Sequence, residues 1–266
     1  MRLRVSHKTS YHYDKPIHFA LQQLRKTPLP SAMQSIDKWE VSLEGATKEL
    51  SFTDQHANQV ILSSIEPGQS EMTILCEGEI DTHETHGVLG YEVQHAPLWY
   101  YRRETPATQA GPEVRKLLKS LRKEQSDLSR MHALSALINE RVSYETGRTE
   151  VTTTAEEALK AGHGVCQDHT HIFIAAARTI GYPARYISGY LMMDDRIDQE
   201  ATHAWAEAFI PDIGWVGFDV SNVISPDERY VRIASGLDYK EAAPVSGMRF
   251  GESAESFSVS LQVEQQ

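Results

Sequence analysis

With 266 residues, 26 Lys and Arg against 37 Asp and Glu, and a formal net charge of -11, the chain is long enough for two domains of ordinary size. Its 40% hydrophobic and 24% charged content, with 16 Gly and 11 Pro, excludes intrinsic disorder, a collagenous repeat and a disulfide scaffold. The acidic balance argues against a nucleic-acid partner, whose phosphates call for clustered Lys and Arg, and no window approaches the roughly 18 consecutive apolar residues of a membrane span.

The first residues, MRLRVSHKTSYHYD, contain neither an apolar h-region nor a small-residue cleavage site, which sets aside a secretory signal, and two cysteines, Cys76 and Cys166, do not make a secreted scaffold, so a reducing cytoplasm is the expected setting. Residues 1–103 read as β-rich. Alternating runs at 3–13, 38–43, 49–54, 59–65 and 71–80 are separated by the turn-forming GAT, DQHAN and EPGQ, the texture of a β-sandwich. Cys76 shares a strand face with Ile74 and Ile80 and reads as a buried, inert thiol. Pro97, Pro106, Pro112 and the polar RRETPATQAGP read as a linker, with a boundary near 104–112.

Beyond the linker, Val114, Leu117, Leu118, Leu121, Leu128, Met131, Leu134, Leu137 and Ile138 recur at helical spacing. Residues 101–141 carry 9 basic and 5 acidic side chains, and the spacing makes these the solvated faces of amphipathic helices rather than a binding patch. Thr154 stands three residues before Glu157, a capping-box spacing that starts a short helix. Val165 to Ile180 is the most apolar helical stretch, closed by Gly181 and Pro183. From Ala184 onward the texture is again that of strands: ARYISGYL, THAWAEAFI, WVGFDVS and, near the end, SFSVSLQVE.

Cys166 follows Gly162 and Gly164 and falls in the first turn of that apolar helix. Unpaired N–H groups and the helix dipole stabilise a thiolate at such a position, and a buried helix holds it rigidly. A nucleophilic thiol needs a base, and the base an orienting group. His203, Trp205, Glu207 and Phe209 share one strand face, as do Trp215, Gly217 and Asp219 on the following strand. A hairpin that sets Phe209 opposite Trp215, with a five-residue loop, puts His203 opposite Ser221 and Asp219 on its diagonal, roughly 7–8 Å between backbones. A slip of one residue would separate the pair.

GVCQD, HAWAE and GWVGFD, in that order, resemble the core of the bacterial transglutaminase-like superfamily, relatives of the papain-like cysteine enzymes, over roughly Tyr144 to Asn222. YHYDKPIHFA, TPLP and DQHANQV resemble the β-rich domain that precedes this core in many bacterial members. With the tail GLDYKEAAPVSGMRFG, the likeness covers nearly the whole chain. The expected fold class is α+β, with a β-sandwich over residues 1–103 and a papain-like, transglutaminase-like core with C-terminal strands over 104–266. The resemblance implies Cys166 as nucleophile, His203 as general base and acid, and Asp219 as the group fixing the imidazole. By analogy the Cys166 N–H donates to the oxyanion, helped by Tyr144, and Gln167, His169 and Trp205 are further oxyanion or cleft-lining candidates. The chain departs from the family pattern at His169 and Thr170, where an apolar or aromatic residue and then a small one usually follow QD, and at Val220, where Pro commonly follows the aspartate. At one helical turn from Cys166, His169 is expected to narrow the site or raise its positive charge.

His163, Cys166, His169 and His171 form the pattern H-x2-C-x2-H-x-H, but His169 and His171 fall on different helix faces, which disfavours tetrahedral zinc. The acidic loop of Asp194, Asp195, Asp198 and Glu200 lacks the glycine and spacing of an EF-hand and reads as a solvated loop beside the cleft. No cofactor or metal is expected. The expected function is cysteine-dependent cleavage or acyl transfer at amide bonds of a peptide or protein substrate, with peptide or isopeptide hydrolysis foremost. The alternatives are protein-glutamine transglutaminase or deamidase activity, and a non-catalytic binding protein that keeps the fold. Residues 142–266 carry 9 basic and 19 acidic side chains, which favours basic or neutral substrates by long-range attraction. No oligomeric state is read from the sequence.

Overall fold

The computed structural model describes residues 1–92, 96–121, 126–194, 196–199, 202–250 and 254–266; Asp195 and Glu200, weighed above, lie outside them. Seven strands come first: β1 (Arg2–Tyr13), β2 (Phe19–Thr27), β3 (Gln34–Glu44), β4 (Ala46–Thr53), β5 (Gln59–Ile65), β6 (Glu71–Thr82) and β7 (Val88–Gly90). Helices α1 (Pro112–Ser120) and α2 (Asp127–Arg141), strand β8 (Ser143–Tyr144), helix α3 (Ala155–Ala161), strand β9 (His163–Gly164) and helix α4 (Cys166–Thr179) follow. The rest is β10 (Ala184–Leu191), β11 (Asp198–Gln199), β12 (His203–Ile210), β13 (Gly214–Phe218), β14 (Tyr230–Gly236), α5 (Tyr239–Ala242), β15 (Val245–Phe250) and β16 (Glu255–Gln265). No helix among the described residues is long and apolar enough to cross a membrane.

Two sheets, ordered β11-β16-β1-β6-β3 and β15-β2-β5-β4, pack face to face as the expected sandwich. Period-two alternation places Met72, Ile74 and Cys76 of β6 against Leu24 of β2 and Ile61 and Ile65 of β5. Cys76 is fully buried, and burial pushes its thiol up to about 11, so the expected inert thiol is what the fold contains. Gly45 makes the sharp turn from β3 to β4 at φ +73, where a Cβ would lie 2.4 Å from the Glu71 carbonyl oxygen.

Strand β2 is absent from the sequence-based expectation because its inward positions include Gln22 and Lys26, which hide the apolar alternation. The buried Lys26 ammonium is satisfied by the His7 ring and the Thr9 hydroxyl at 3.1 Å, and burial lowers it to about 8. The last two strands, placed with the second unit on sequence grounds, instead complete the sandwich: β16 pairs along the whole of β1 and β15 along β2. Strand β7 goes the other way and joins the second unit, against β13.

That second unit is a mixed layer of α4 against the sheet β14-β10-β12-β13-β7. Residues Ile172 to Ala177 of α4 are buried on every side, which is why this helix reads as apolar all round. The linker is pinned to it: Thr108 and Ala110 are buried, and the Arg178 guanidinium donates to the Thr108 hydroxyl at 2.8 Å and to the Tyr101 carbonyl at 2.9 Å. Helix α1 begins at Gly111 without a side-chain cap, and Glu156 of α3 supplies one by accepting from Gly111, Glu113 and Val114 N–H at 2.6, 3.0 and 2.9 Å. Leu3, Val5, Leu261 and Val263 of the sandwich pack on Tyr190, Met192, Val231 and Ile233 of the second sheet, so an apolar seam joins the two units.

Candidate active site

The approach to Cys166 is built from short-range geometry. Gly162 ends α3 in the left-handed region at φ +75, and β9 then pairs in parallel with β8, carrying the chain straight into the start of α4. Asp168 closes this turn, its Oδ2 accepting the Val165 N–H at 2.8 Å and the Thr149 hydroxyl at 2.7 Å. A Cβ on Gly164 would stand 2.7 Å from the Asp168 Cβ, so only glycine fits beneath the carboxylate. Cys166 is thereby fixed, half-buried, in the first helical turn, where the free N–H groups and the dipole favour negative charge.

His203 begins β12, which runs between β10 and β13. The hairpin has the expected register, Phe209 opposite Trp215; pairing continues to Ile210 opposite Gly214, so the loop is shorter than the five residues expected. Asp219 follows β13 and is fully buried, and His203 Nε2 donates to its Oδ2 at 2.6 Å. The Cys166 thiol acts on the same imidazole and favours its charged form, and with Nε2 on Asp219 the ring nitrogen left for the thiol is Nδ1. Burial disfavours the charged ring, but Asp219 and Cys166 outweigh it and raise His203 from 6.5 to about 10. Burial likewise pushes the Asp219 carboxyl up, and the donors His203, Asn222 and Tyr230 overcome it, so the carboxyl lies below its ordinary value. Cys166, His203 and Asp219 thus stand together, the imidazole hydrogen-bonded to the carboxylate and sharing the cleft with the thiol.

Cys166 and His203 open onto a cleft of about 360 Å³, walled by Tyr144, Ser221 and Asn222 and by Leu191, Met193 and Arg196. Of the other expected residues, Tyr144 stands on the cleft wall, whereas Gln167 turns away and donates to the Val151 carbonyl at 2.9 Å. Trp205 is buried behind the wall and stacks on His203 with ring centres 6.3 Å apart, a shield for the ion pair rather than a cleft surface. His169 neither narrows the cleft nor charges it. Its ring is buried between the Val142 carbonyl, which accepts from Nε2 at 3.0 Å, and the Ser221 hydroxyl, 2.9 Å from Nδ1, and burial lowers its pKa. His171 is held elsewhere, its Nε2 accepting the Tyr239 N–H at 3.1 Å. Among the described residues no three His, Cys, Asp or Glu side chains are grouped to hold a metal ion.

Three polar residues absent from the sequence-based candidates shape the site: Asp168, Asn222 and Tyr230. Asn222 sits three residues past Asp219 and donates its side-chain amide to Asp219 Oδ2 at 2.7 Å and its N–H to Oδ1 at 3.2 Å, an Asx-type turn signalled by the DVSN tetrapeptide. The Tyr230 hydroxyl donates to the same Oδ2 at 2.7 Å from a separate strand, a contact that no local pattern announces.

Residues 115–220 match the family described as the transglutaminase-like superfamily, and residues 3–81 match the bacterial transglutaminase-like N-terminal region. In sequence the chain is similar to an uncharacterised protein of Mycobacterium leprae, 25% identical over 98% of each chain. It is also similar to an uncharacterised protein of Mycobacterium tuberculosis, 27% identical over 96% of this chain and 90% of the relative. In structure it is similar to a Cytophaga hutchinsonii protein named as a candidate cysteine protease, with a TM-score of 0.79 at 20% identity over 100% of this chain and 91% of that one. The last likeness shows a shared fold.

Proposed function

Because the chain belongs to the transglutaminase-like superfamily, with the bacterial N-terminal region ahead of the core, we propose that it is a cysteine-dependent enzyme acting on amide bonds, foremost a peptidase or amidase. The observation that carries this reading is the His203 ring held between Asp219, at 2.6 Å, and Cys166. The thiolate attacks the substrate carbonyl, and the oxyanion that forms faces the free N–H of Cys166 at the start of α4. His203, charged through its contact with Asp219, gives the Nδ1 proton to the leaving amine as the C–N bond breaks, which leaves an acyl-thioester on Cys166. The neutral imidazole then takes a proton from the incoming water, which releases the acid and restores the thiolate. A primary amine in place of water would instead give a new amide. Two unpaired cysteines, Cys76 in the sandwich core and Cys166 in the cleft, suit a reducing compartment such as the cytoplasm.

The test is turnover of a peptide library by wild type and Cys166→Ala, with and without an added primary amine. Hydrolysis by wild type alone is expected. Amide formation dominating over hydrolysis when the amine is present would replace the peptidase reading by acyl transfer, and no Cys166-dependent turnover under either condition would leave a binding protein with this fold.

A further inference from the structure

Among the described residues, strand β14 lies at the edge of its sheet and pairs with β10 alone, and an edge strand presents unpaired N–H and C=O groups. Two side-chain amides from the sandwich occupy the places of a missing neighbour. Gln34 donates to the Arg232 carbonyl and accepts the Arg232 N–H, both at 2.8 Å. Asn58 does the same at Ser235, again with both bonds at 2.8 Å. Each amide reproduces the paired donor and acceptor of a strand residue, and both are buried. A bulge where β14 meets β10 at Ser188 and Gly189 lies between these two points, which lets residues three apart face the same way.

The strand fixed in this way carries Tyr230 as its first residue, two positions from the Gln34 clamp. Its hydroxyl is one of three donors converging on a single oxygen, Asp219 Oδ2, with His203 Nε2 at 2.6 Å and the Asn222 amide at 2.7 Å. The Tyr230 ring also packs edge-on against Trp205 at 5.4 Å, and Trp205 stacks on His203. We propose that Tyr230 is a positioning residue for the triad and that the N-terminal sandwich acts on the site through it, Gln34 holding in place the strand from which Tyr230 reaches Asp219. This deepens the cysteine-enzyme reading above and rests on it.

The donors share the carboxylate's charge. Each bond that Oδ2 makes to Tyr230 or Asn222 withdraws charge from His203, so the hydroxyl both orients Asp219 and limits how strongly Asp219 holds the imidazolium. Apart from Tyr230 itself, the titratable and charged groups facing this pair are Cys166 and His169 from α4, Tyr144 and Arg196 on the cleft wall, with Asp227 and Arg229 beyond Tyr230. None of these is altered when Tyr230 loses only its hydroxyl.

The experiment follows the rate of Cys166 alkylation by iodoacetamide from pH 4 to 11 in the full chain, for wild type, Tyr230→Phe, Gln34→Ala and the double variant, with circular dichroism to establish folding. The alkaline inflection reports the loss of the His203 proton. Tyr230→Phe keeps the ring packing and should move that inflection upward by at least ~0.3 pH unit, since a bond to a charged group is exchanged. Gln34→Ala should move it in the same direction by less, and should add nothing in the Tyr230→Phe background. A purely structural tyrosine would lower thermal stability and leave the inflection in place, which overturns the positioning role. A Gln34→Ala shift that adds in full to that of Tyr230→Phe overturns the route through the sandwich. A wild-type profile with a single step of an ordinary thiol removes the cysteine-enzyme reading itself, a result distinct from both.

Discussion

Replacing Asp219 by Asn keeps the size of the side chain and removes the charge against which His203 is held. The wild-type carboxylate accepts from His203, Asn222 and Tyr230 on Oδ2 at 2.6, 2.7 and 2.7 Å, and from the Asn222 N–H on Oδ1 at 3.2 Å. A neutral amide cannot accept on both of its heavy atoms, so at least one donor is orphaned. The imidazole stands at about 10 against an ordinary 6.5, a difference of about 5 kcal/mol between its protonation states, supplied by Asp219 and Cys166 against the opposing effect of burial. With the carboxylate gone, burial prevails and the ring is neutral at pH 6.5. The thiol then has no imidazolium to stabilise its anion, and an ordinary thiol near 8.5 is about one per cent thiolate at that pH. Alkylation of Cys166 by iodoacetamide at pH 6.5 should therefore fall by ~10- to 100-fold in Asp219→Asn, with the rate recovering toward wild type above pH 9. Equal rates at pH 6.5 would refute the reasoning, because the charge on Asp219 would then have no part in forming the ion pair.

Other consequences can be measured independently. The His203 ring is raised in the fold, so its contribution to stability is complete below pH 6.5 and is lost as the pH rises through about 10; the gap in Tm between wild type and His203→Ala should narrow over that interval, and a constant gap contradicts it. The Asp219 carboxyl is lowered, so its contribution holds above the ordinary 3.8 and disappears as the pH falls through the lower folded value; the Tm cost of Asp219→Asn should shrink on that acid side. Because His169 is buried away from the cleft, His169→Ala should leave Cys166 alkylation at pH 6.5 unchanged while costing about 2–4 kcal/mol of stability, the Val142 carbonyl and Ser221 hydroxyl losing their partner; a slowed alkylation at full stability would restore a charge role. Glu156→Ala should cost about 1–3 kcal/mol in urea unfolding, because one carboxylate serves three N–H groups of α1, and a cost near zero would mean that water replaces it.

The parts of this molecule legible in its sequence are those set by neighbours in the chain. Cys166 after two glycines at a helix start, and His203 and Asp219 on a common face of a hairpin, follow from helix capping and from the parity of strand pairing; the Phe209–Trp215 register, assumed because it satisfies that parity, is the one the hairpin has. The sandwich is legible for the same reason wherever its strands alternate cleanly. Legibility ends where a partner is distant or a polar group is buried. Lys26 and Gln22 point inward, so β2 carries no apolar signature. A histidine one turn from Cys166 reads as part of the cleft, yet at i+3 its side chain reaches Val142 and Ser221 rather than the substrate side. SFSVSLQVE reads as a strand, but nothing in it states that Leu261 and Val263 will be buried beside β1. Tyr230, Gln34 and Asn58 act through contacts spanning 11 to 198 residues of sequence.

The division into residues 1–103 and 104–266 matters most where strands cross it. A fragment of 1–103 lacks β11, β15 and β16, so one sheet loses its edge strand β15 and the other its outer pair β11 and β16: β2 is bared on one side and β1 along its whole length, including Val5 and Leu3 opposite Val263 and Gln265. A fragment of 104–266 lacks β7, which pairs with β13, and loses Gln34 and Asn58 from the open edge of β14. Each half would expose unpaired backbone next to an apolar face, the condition for edge-to-edge aggregation. The apolar seam of Leu3 and Val5 with Tyr190 and Val231 would be bared on both. We therefore expect the two units to unfold together, as one calorimetric transition whose van't Hoff and calorimetric enthalpies agree. Neither fragment should give a dispersed amide spectrum when expressed alone, and mixing the two should restore it in part. Two separated transitions, or a well-dispersed spectrum from residues 104–266 by themselves, would show that the core stands without the sandwich. The N-terminal region would then be an accessory rather than a component of the site's scaffold.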